Sequence, residues 1–118
     1  MDDHLRNLGF LYVGKGLWRL APAFDINPFP DKDRESKTWL SEDTGPITDV
    51  DTLLEKAGHF HLSASEAIAV LGAVHGTIVR WRSLAISAEV GLTAGEVEDF
   101  APALEHSEMD RARVLSGQ

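Results

Sequence analysis

Four of the five prolines fall between positions 21 and 47, as Pro22, Pro28, Pro30 and Pro46. Each fixes φ and removes a backbone donor, so helix cannot run through this stretch and a regular ladder has few N–H groups to use. The stretch also carries Phe24, Ile26, Phe29, Trp39 and Leu40, too much apolar surface for a plain linker. It reads as an irregular segment pinned by those side chains, with the charge-dense residues 31–37 as its mobile tip. Regular structure is thereby confined to the residues before and after it.

Before it, residues 10–13 and 17–20 are short β-prone runs separated by Gly14-Lys15-Gly16, the pattern of a hairpin with a three-residue loop. An isolated hairpin is marginal, so this one is expected to rest on something else. After the segment the pattern turns helical. Thr48 can cap a first helix carrying Asp49 and Asp51 near its positive end. Ser63-Ala64-Ser65-Glu66 and Thr93-Ala94-Gly95-Glu96 are capping boxes, in which serine or threonine takes one free N–H and glutamate reaches back for another. The second helix is expected to run to about Ala88, with Ala67, Val70, Leu71, Val74, Ile78, Trp81 and Ala85 as its core stripe. Pro102 should end or kink the third. Residues from His106 onward are polar and read as frayed. The fold class is mainly α, with one short β-hairpin near the N-terminus and a helical bundle over residues 48–105.

With 118 residues the chain makes one domain. Hydrophobic residues at 43% and charged residues at 25% are ordinary for a globular protein. The formal net charge of −8 should repel nucleic acid and anionic lipid, so neither direct nucleic-acid binding nor a membrane partner is expected. The best local exception, Arg80-Trp81-Arg82, sits in an expected helix. No cysteine is present, which excludes disulfides and thiolate metal sites and suits a reducing cytoplasm. The start Met-Asp-Asp-His has neither the basic residues nor the apolar run of a signal peptide. No apolar run approaches the roughly 20 residues of a membrane helix.

Three residues have the layout of a phosphoryl-transfer site. Asp2 and Asn7 lie five apart on an irregular stretch, and Asp25 follows the hairpin in the apolar context Ala23-Phe24-Asp25-Ile26. An aspartate near the accepting hydroxyl orients it or takes its proton. An asparagine and a second aspartate give oxygen ligands to the Mg²⁺ that bridges the phosphates. A hairpin between the two ligands would bring them together at its base. Spacing alone also allows a plainer reading, with Asp2 a terminal residue, Asn7 a turn residue and Asp25 a loop cap.

The residues around that spacing carry a resemblance. Asp2-Asp3-His4-Leu5-Arg6-Asn7, then Gly9-Phe10-Leu11, then Trp18-Arg19-Leu20-Ala21-Pro22-Ala23-Phe24-Asp25-Ile26-Asn27-Pro28 resembles the HipA-like kinase family. That family pairs a D-x-H-x-[KR]-N-x-[GS] catalytic loop with a hairpin and a metal-binding loop ending in P-x-[YF]-D-[IL]. The helical tail is similar too, in Asp49-Val50-Asp51, Phe60-His61-Leu62-Ser63 and Arg80-Trp81-Arg82. The resemblance implies that Asp2 is the catalytic aspartate and that Asn7 and Asp25 hold Mg²⁺. It gives His4 and Arg6 supporting places in the catalytic loop. It further implies an ATP-dependent serine/threonine kinase of toxin–antitoxin type, with a protein substrate, a possible antitoxin partner, and ATP and Mg²⁺ as cofactors. Residues 1–118 would then be the C-terminal, helical kinase lobe, with residues 1–28 as the catalytic and metal-binding loops. The lobe that grips ATP through a phosphate-cradling loop and a lysine is expected to be absent, leaving the fragment inactive by itself. The alternative is a non-catalytic helical interaction module, left from a truncated kinase gene.

Two further patterns have plain explanations. His59 and His61, with His75 or Glu66, could ligate a metal, but no third ligand has fixed spacing and ordinary histidines are the simpler reading. Trp18, Trp39 and Trp81 are expected to pack in or against the core.

Overall fold

A computed structural model of the protein describes residues 8–24, 26 and 39–118. Strands β1 (Phe10–Gly14) and β2 (Leu17–Leu20) form an antiparallel hairpin. Helices α1 (Val50–Glu55), α2 (Ala64–Ile78), α3 (Trp81–Ala85), α4 (Ala94–Leu104) and α5 (Ser107–Ser116) follow, with a 3₁₀ turn at Ala57–Phe60. The protein is mainly α, as its patterning predicts. In residues 21–24, 26 and 39–49 no helix forms, and an isolated bridge between Trp39 and Pro46 is the regular pairing there. Residues 31–37 and Phe29 lie outside the described residues.

The hairpin loop is shorter than the sequence suggests. Gly14 pairs with Leu17, so Lys15-Gly16 alone makes the turn, both with positive φ (52° and 72°), the type I′ preference of tight hairpins. The register shifts between Tyr12 and Gly14, and Gly14 takes φ 95° to absorb the extra residue. Tyr12 and Trp18 face each other with ring centroids 5.1 Å apart, and the Gly16 N–H donates to the Tyr12 hydroxyl at 3.1 Å. No described helix packs extensively on the hairpin, and Phe10, Tyr12, Leu17, Trp18 and Leu20 are all exposed. The expected support is therefore not among the described residues. Trp18 and Trp39 are exposed rather than core residues, and Phe24, Ile26 and Leu40 are also exposed.

Both capping boxes form as read. Ser63 and Thr93 each accept from the N–H three residues on, and Glu66 and Glu96 each accept from the cap residue's own N–H at 2.8 Å. The first helix starts slightly later than expected, with Asp49 as its cap, accepting from the Thr52 N–H at 2.7 Å.

The second helix does not reach Ala88. It stops at Ile78, turns through Val79 and Arg80, and resumes as α3. Thr77-Ile78-Val79 is a run of three β-branched residues, which crowd a helix, and the Thr77 hydroxyl donates back to the Ala73 carbonyl at 3.0 Å, a bond that tends to bend helices. The expected stripe is also out of phase. Ala67, Gly72 and His75 are the buried residues of α2, while Val70 and Val74 are exposed.

The polar tail is the other correction. It forms α5, which packs on α2 and closes its C-terminus in a Schellman motif: Gly117 (φ 72°) donates to Val114 and Gln118 to Arg113. Acidic Glu108 and Asp110 in its first turn suit the helix dipole. Glu108 also accepts from the Val50 N–H at 2.8 Å, and Arg111 grips Asp51 with two bonds of 2.8 Å, tying α5 to the start of α1. The approach to α2 is close because Gly72 lies under Ser116 and Gln118, where a Cβ would come within 3.2 Å of the Ser116 Cβ. Gln118 donates from Nε2 to the Gly72 carbonyl at 2.8 Å, and its Oε1 meets His75 Nδ1 at 3.0 Å.

The buried apolar residues are Ala57, Ala67, Ala85, Val97, Ala101 and Ala112. Among the described residues, close backbone approach over small side chains holds the helices together. On the far side, Arg82 joins α3 to α4 through Glu98 and Glu105, and Trp81 Nε1 donates to Glu105 at 3.2 Å. Trp81 is half-buried and opens α3 rather than lying mid-helix.

Candidate functional site

Asp2, His4, Arg6, Asn7 and Asp25 all lie outside the described residues. What is described is the element between them. Past the strands, the Ala21 N–H donates to the Gly9 carbonyl at 2.8 Å, so pairing continues one step beyond Phe10 and Leu20. The residues on the two sides of the hairpin therefore meet at the end opposite the Lys15-Gly16 turn. Phe24 lies close over Gly9, where a Cβ would sit 3.5 Å from its ring and 3.6 Å from the Ala21 Cβ. Gly9 on one flank and Ala21 and Phe24 on the other thus close the base. A glycine at position 9 leaves room for that ring, a signal that the sequence contains and that spacing arguments pass over.

The other patterns singled out in the sequence resolve into structural roles. Glu66 is occupied by Ser63, whose backbone N–H and hydroxyl hold its carboxylate below the usual glutamate range. His61 takes a left-handed conformation (φ 58°) at the end of the 3₁₀ turn, and His75 is buried against Gln118. Among the described residues no cluster of three or more histidine, aspartate or glutamate side chains could hold a metal. Arg82 in the Arg80-Trp81-Arg82 stretch lies over the Trp81 ring at 5.1 Å and is neutralised by two glutamates. Hydrogen bonds from Arg82 hold the Glu105 and Glu98 carboxyls below their usual range. No described helix is long and apolar enough to cross a membrane.

Comparison with known proteins adds one finding. The model of the HipA-like C-terminal domain matches residues 1–82, which takes in the hairpin, the proline-rich segment, α1, α2 and the first turn of α3. No curated protein and no solved structure matches the chain.

Proposed function

Because the chain belongs to the HipA-like C-terminal domain family, we propose that it carries the catalytic and metal-binding loops of an ATP-dependent serine/threonine protein kinase of HipA toxin type. The observation that carries this reading is the family match across residues 1–82, which spans all five candidate residues. The closed hairpin base at Gly9 and Ala21 supports it, since a two-sided site needs a short, rigid element between its halves.

In this reading Asp2 orients the accepting hydroxyl of a protein substrate and receives its proton, with His4 and Arg6 shaping the loop. The amide oxygen of Asn7 and the carboxylate of Asp25 are hard oxygen donors, the set that Mg²⁺ favours. When bound, the ion offsets the negative charge of the ATP phosphates. The chain's own residues supply position and charge, the main levers in phosphoryl transfer. A protein substrate, an antitoxin partner and a cytoplasmic setting belong to the same proposal.

By itself this fragment should transfer no phosphate, so the test is transfer of labelled phosphate from ATP in a polypeptide that joins it to a lobe carrying the phosphate-cradling loop and lysine. Asp25→Ala and Asp2→Ala should each reduce transfer by a factor on the order of 10² or more while leaving the circular dichroism spectrum unchanged. Full activity in Asp25→Ala would refute the metal assignment. Transfer no higher in the parent than in both variants would refute the catalytic reading.

A further inference from the structure

A second feature lies away from the hairpin. Helices α2, α3 and α5 and the end of α4 enclose an open cleft of about 510 Å³, within the size range of small-molecule sites. Its floor is apolar, formed by Val79, Trp81, Leu104 and Met109. His75, only 5% exposed, lines it from α2.

The chemistry of His75 is fixed by its neighbour. The Gly72 carbonyl can only accept, so the Gln118 atom 2.8 Å from it is the amide nitrogen. The amide oxygen therefore faces His75, and Nδ1 of the neutral ring must carry the hydrogen. That leaves Nε2 as a lone-pair acceptor. Among the described residues it has no hydrogen-bond partner, and it is not sealed from solvent. A nearly buried histidine oriented by an outer partner, with its acceptor nitrogen unused, is the arrangement of a ligand-binding group.

Two charges border the same cleft. Asp110 and Arg113 lie three residues apart on α5, both exposed, and among the described residues neither side chain has an ion-pair or hydrogen-bond partner. Glu105 lines the cleft too, but is engaged by Arg82 and Trp81. Among the described residues the groups left for a ligand thus include one imidazole acceptor, one carboxylate and one guanidinium around an apolar floor, with the Ser107 hydroxyl beside them, while His106 on the same lining is engaged within the chain.

We propose that this cleft binds a small zwitterion of the amino-acid type with an apolar side chain. The ligand's ammonium donates to His75 Nε2 and to Asp110. Its carboxylate meets Arg113, a guanidinium suited to paired oxygens. Its side chain covers Val79, Trp81, Leu104 and Met109. A simple anion would leave Asp110 and the histidine lone pair unmatched, and a simple amine would leave Arg113 unmatched.

The experiment is titration of the ¹⁵N-labelled chain with L-leucine, isopentylamine and 4-methylpentanoate, followed by amide shifts in α2 and α5. Leucine should give saturable shifts there, and each analogue should bind at least tenfold more weakly. Asp110→Asn and Arg113→Gln, both surface changes that leave the fold intact, should each weaken leucine by a similar factor. Long-range ¹H–¹⁵N spectra should show His75 with its proton on Nδ1. No saturable leucine shift, equal binding of either analogue, indifference to both substitutions, or a proton on Nε2 would overturn the proposal.

Discussion

Replacing Gly72 and Gly76 separately by alanine tests the packing of α5 on α2. Both glycines lie inside α2, where alanine gains about 1 kcal/mol of helix propensity over glycine. At Gly76 the new Cβ would lie 3.6 and 3.9 Å from the Gln118 side-chain amide, ordinary contact, so Gly76→Ala should stabilise by close to that amount. At Gly72 it would lie 3.0 Å from Gln118 Nε2 and 3.2 Å from the Ser116 Cβ. The glutamine can swing aside, but at the loss of its bonds to Gly72 and His75, each worth about 1 kcal/mol. The serine Cβ moves only with α5 itself, and such overpacking typically costs about 1–3 kcal/mol. Gly72→Ala should therefore destabilise by about 2–4 kcal/mol, some 3–5 kcal/mol apart from its neighbour. In urea, where slopes are about 1–3 kcal/mol per molar, the two midpoints should move in opposite directions and separate by about 1 M or more. Equal shifts of the same sign would show that α5 does not sit on α2 as described.

Ser63→Ala should lower stability by about 1 kcal/mol through loss of the α2 cap, read as a urea midpoint shift with unchanged slope. Hydrogen bonds hold Glu66 and Glu96 below the usual glutamate range, so their contribution is present above that range and is lost as pH falls through the lowered values. Stability should drop on acidification below the usual glutamate range, and Glu66→Gln with Glu96→Gln should remove part of that drop in a urea series. Trp81→Ala should cost clearly less than the ~3–5 kcal/mol of a fully buried ring, because the indole is half-buried. A loss of that full size would show that the ring is more enclosed than described.

The hairpin and both capping boxes were legible because each is a local device: positive-φ glycines at a turn, or a hydroxyl three residues before a glutamate. The break after Ile78 was legible too, in the β-branched run from Thr77 to Val79, but the apolar periodicity through Trp81 and Ala85 masked it. Helix α5 was not legible from periodicity. Its buried residue is Ala112, its contact with α2 through Ser116 depends on a glycine 44 positions earlier, and its outer faces are charged. Its acidic first turn and Gly117 were the available signals. For the candidate kinase residues, the sequence carried the motif and the family match agrees with it, while the described structure reaches only the hairpin between them.

The small-residue core has a thermal consequence. Heat capacity rises on unfolding in proportion to the apolar area exposed, by about 12–15 cal/mol/K per residue in ordinary domains. Here alanines and a single valine make up the described apolar core, while Phe10, Trp18, Trp39, Val70 and Val74 already face solvent when the chain is folded. Less new apolar surface is released on melting, so the enthalpy of unfolding changes slowly with temperature. The stability curve is correspondingly flat, so cooling below its maximum weakens this helical body less than it weakens an ordinary domain.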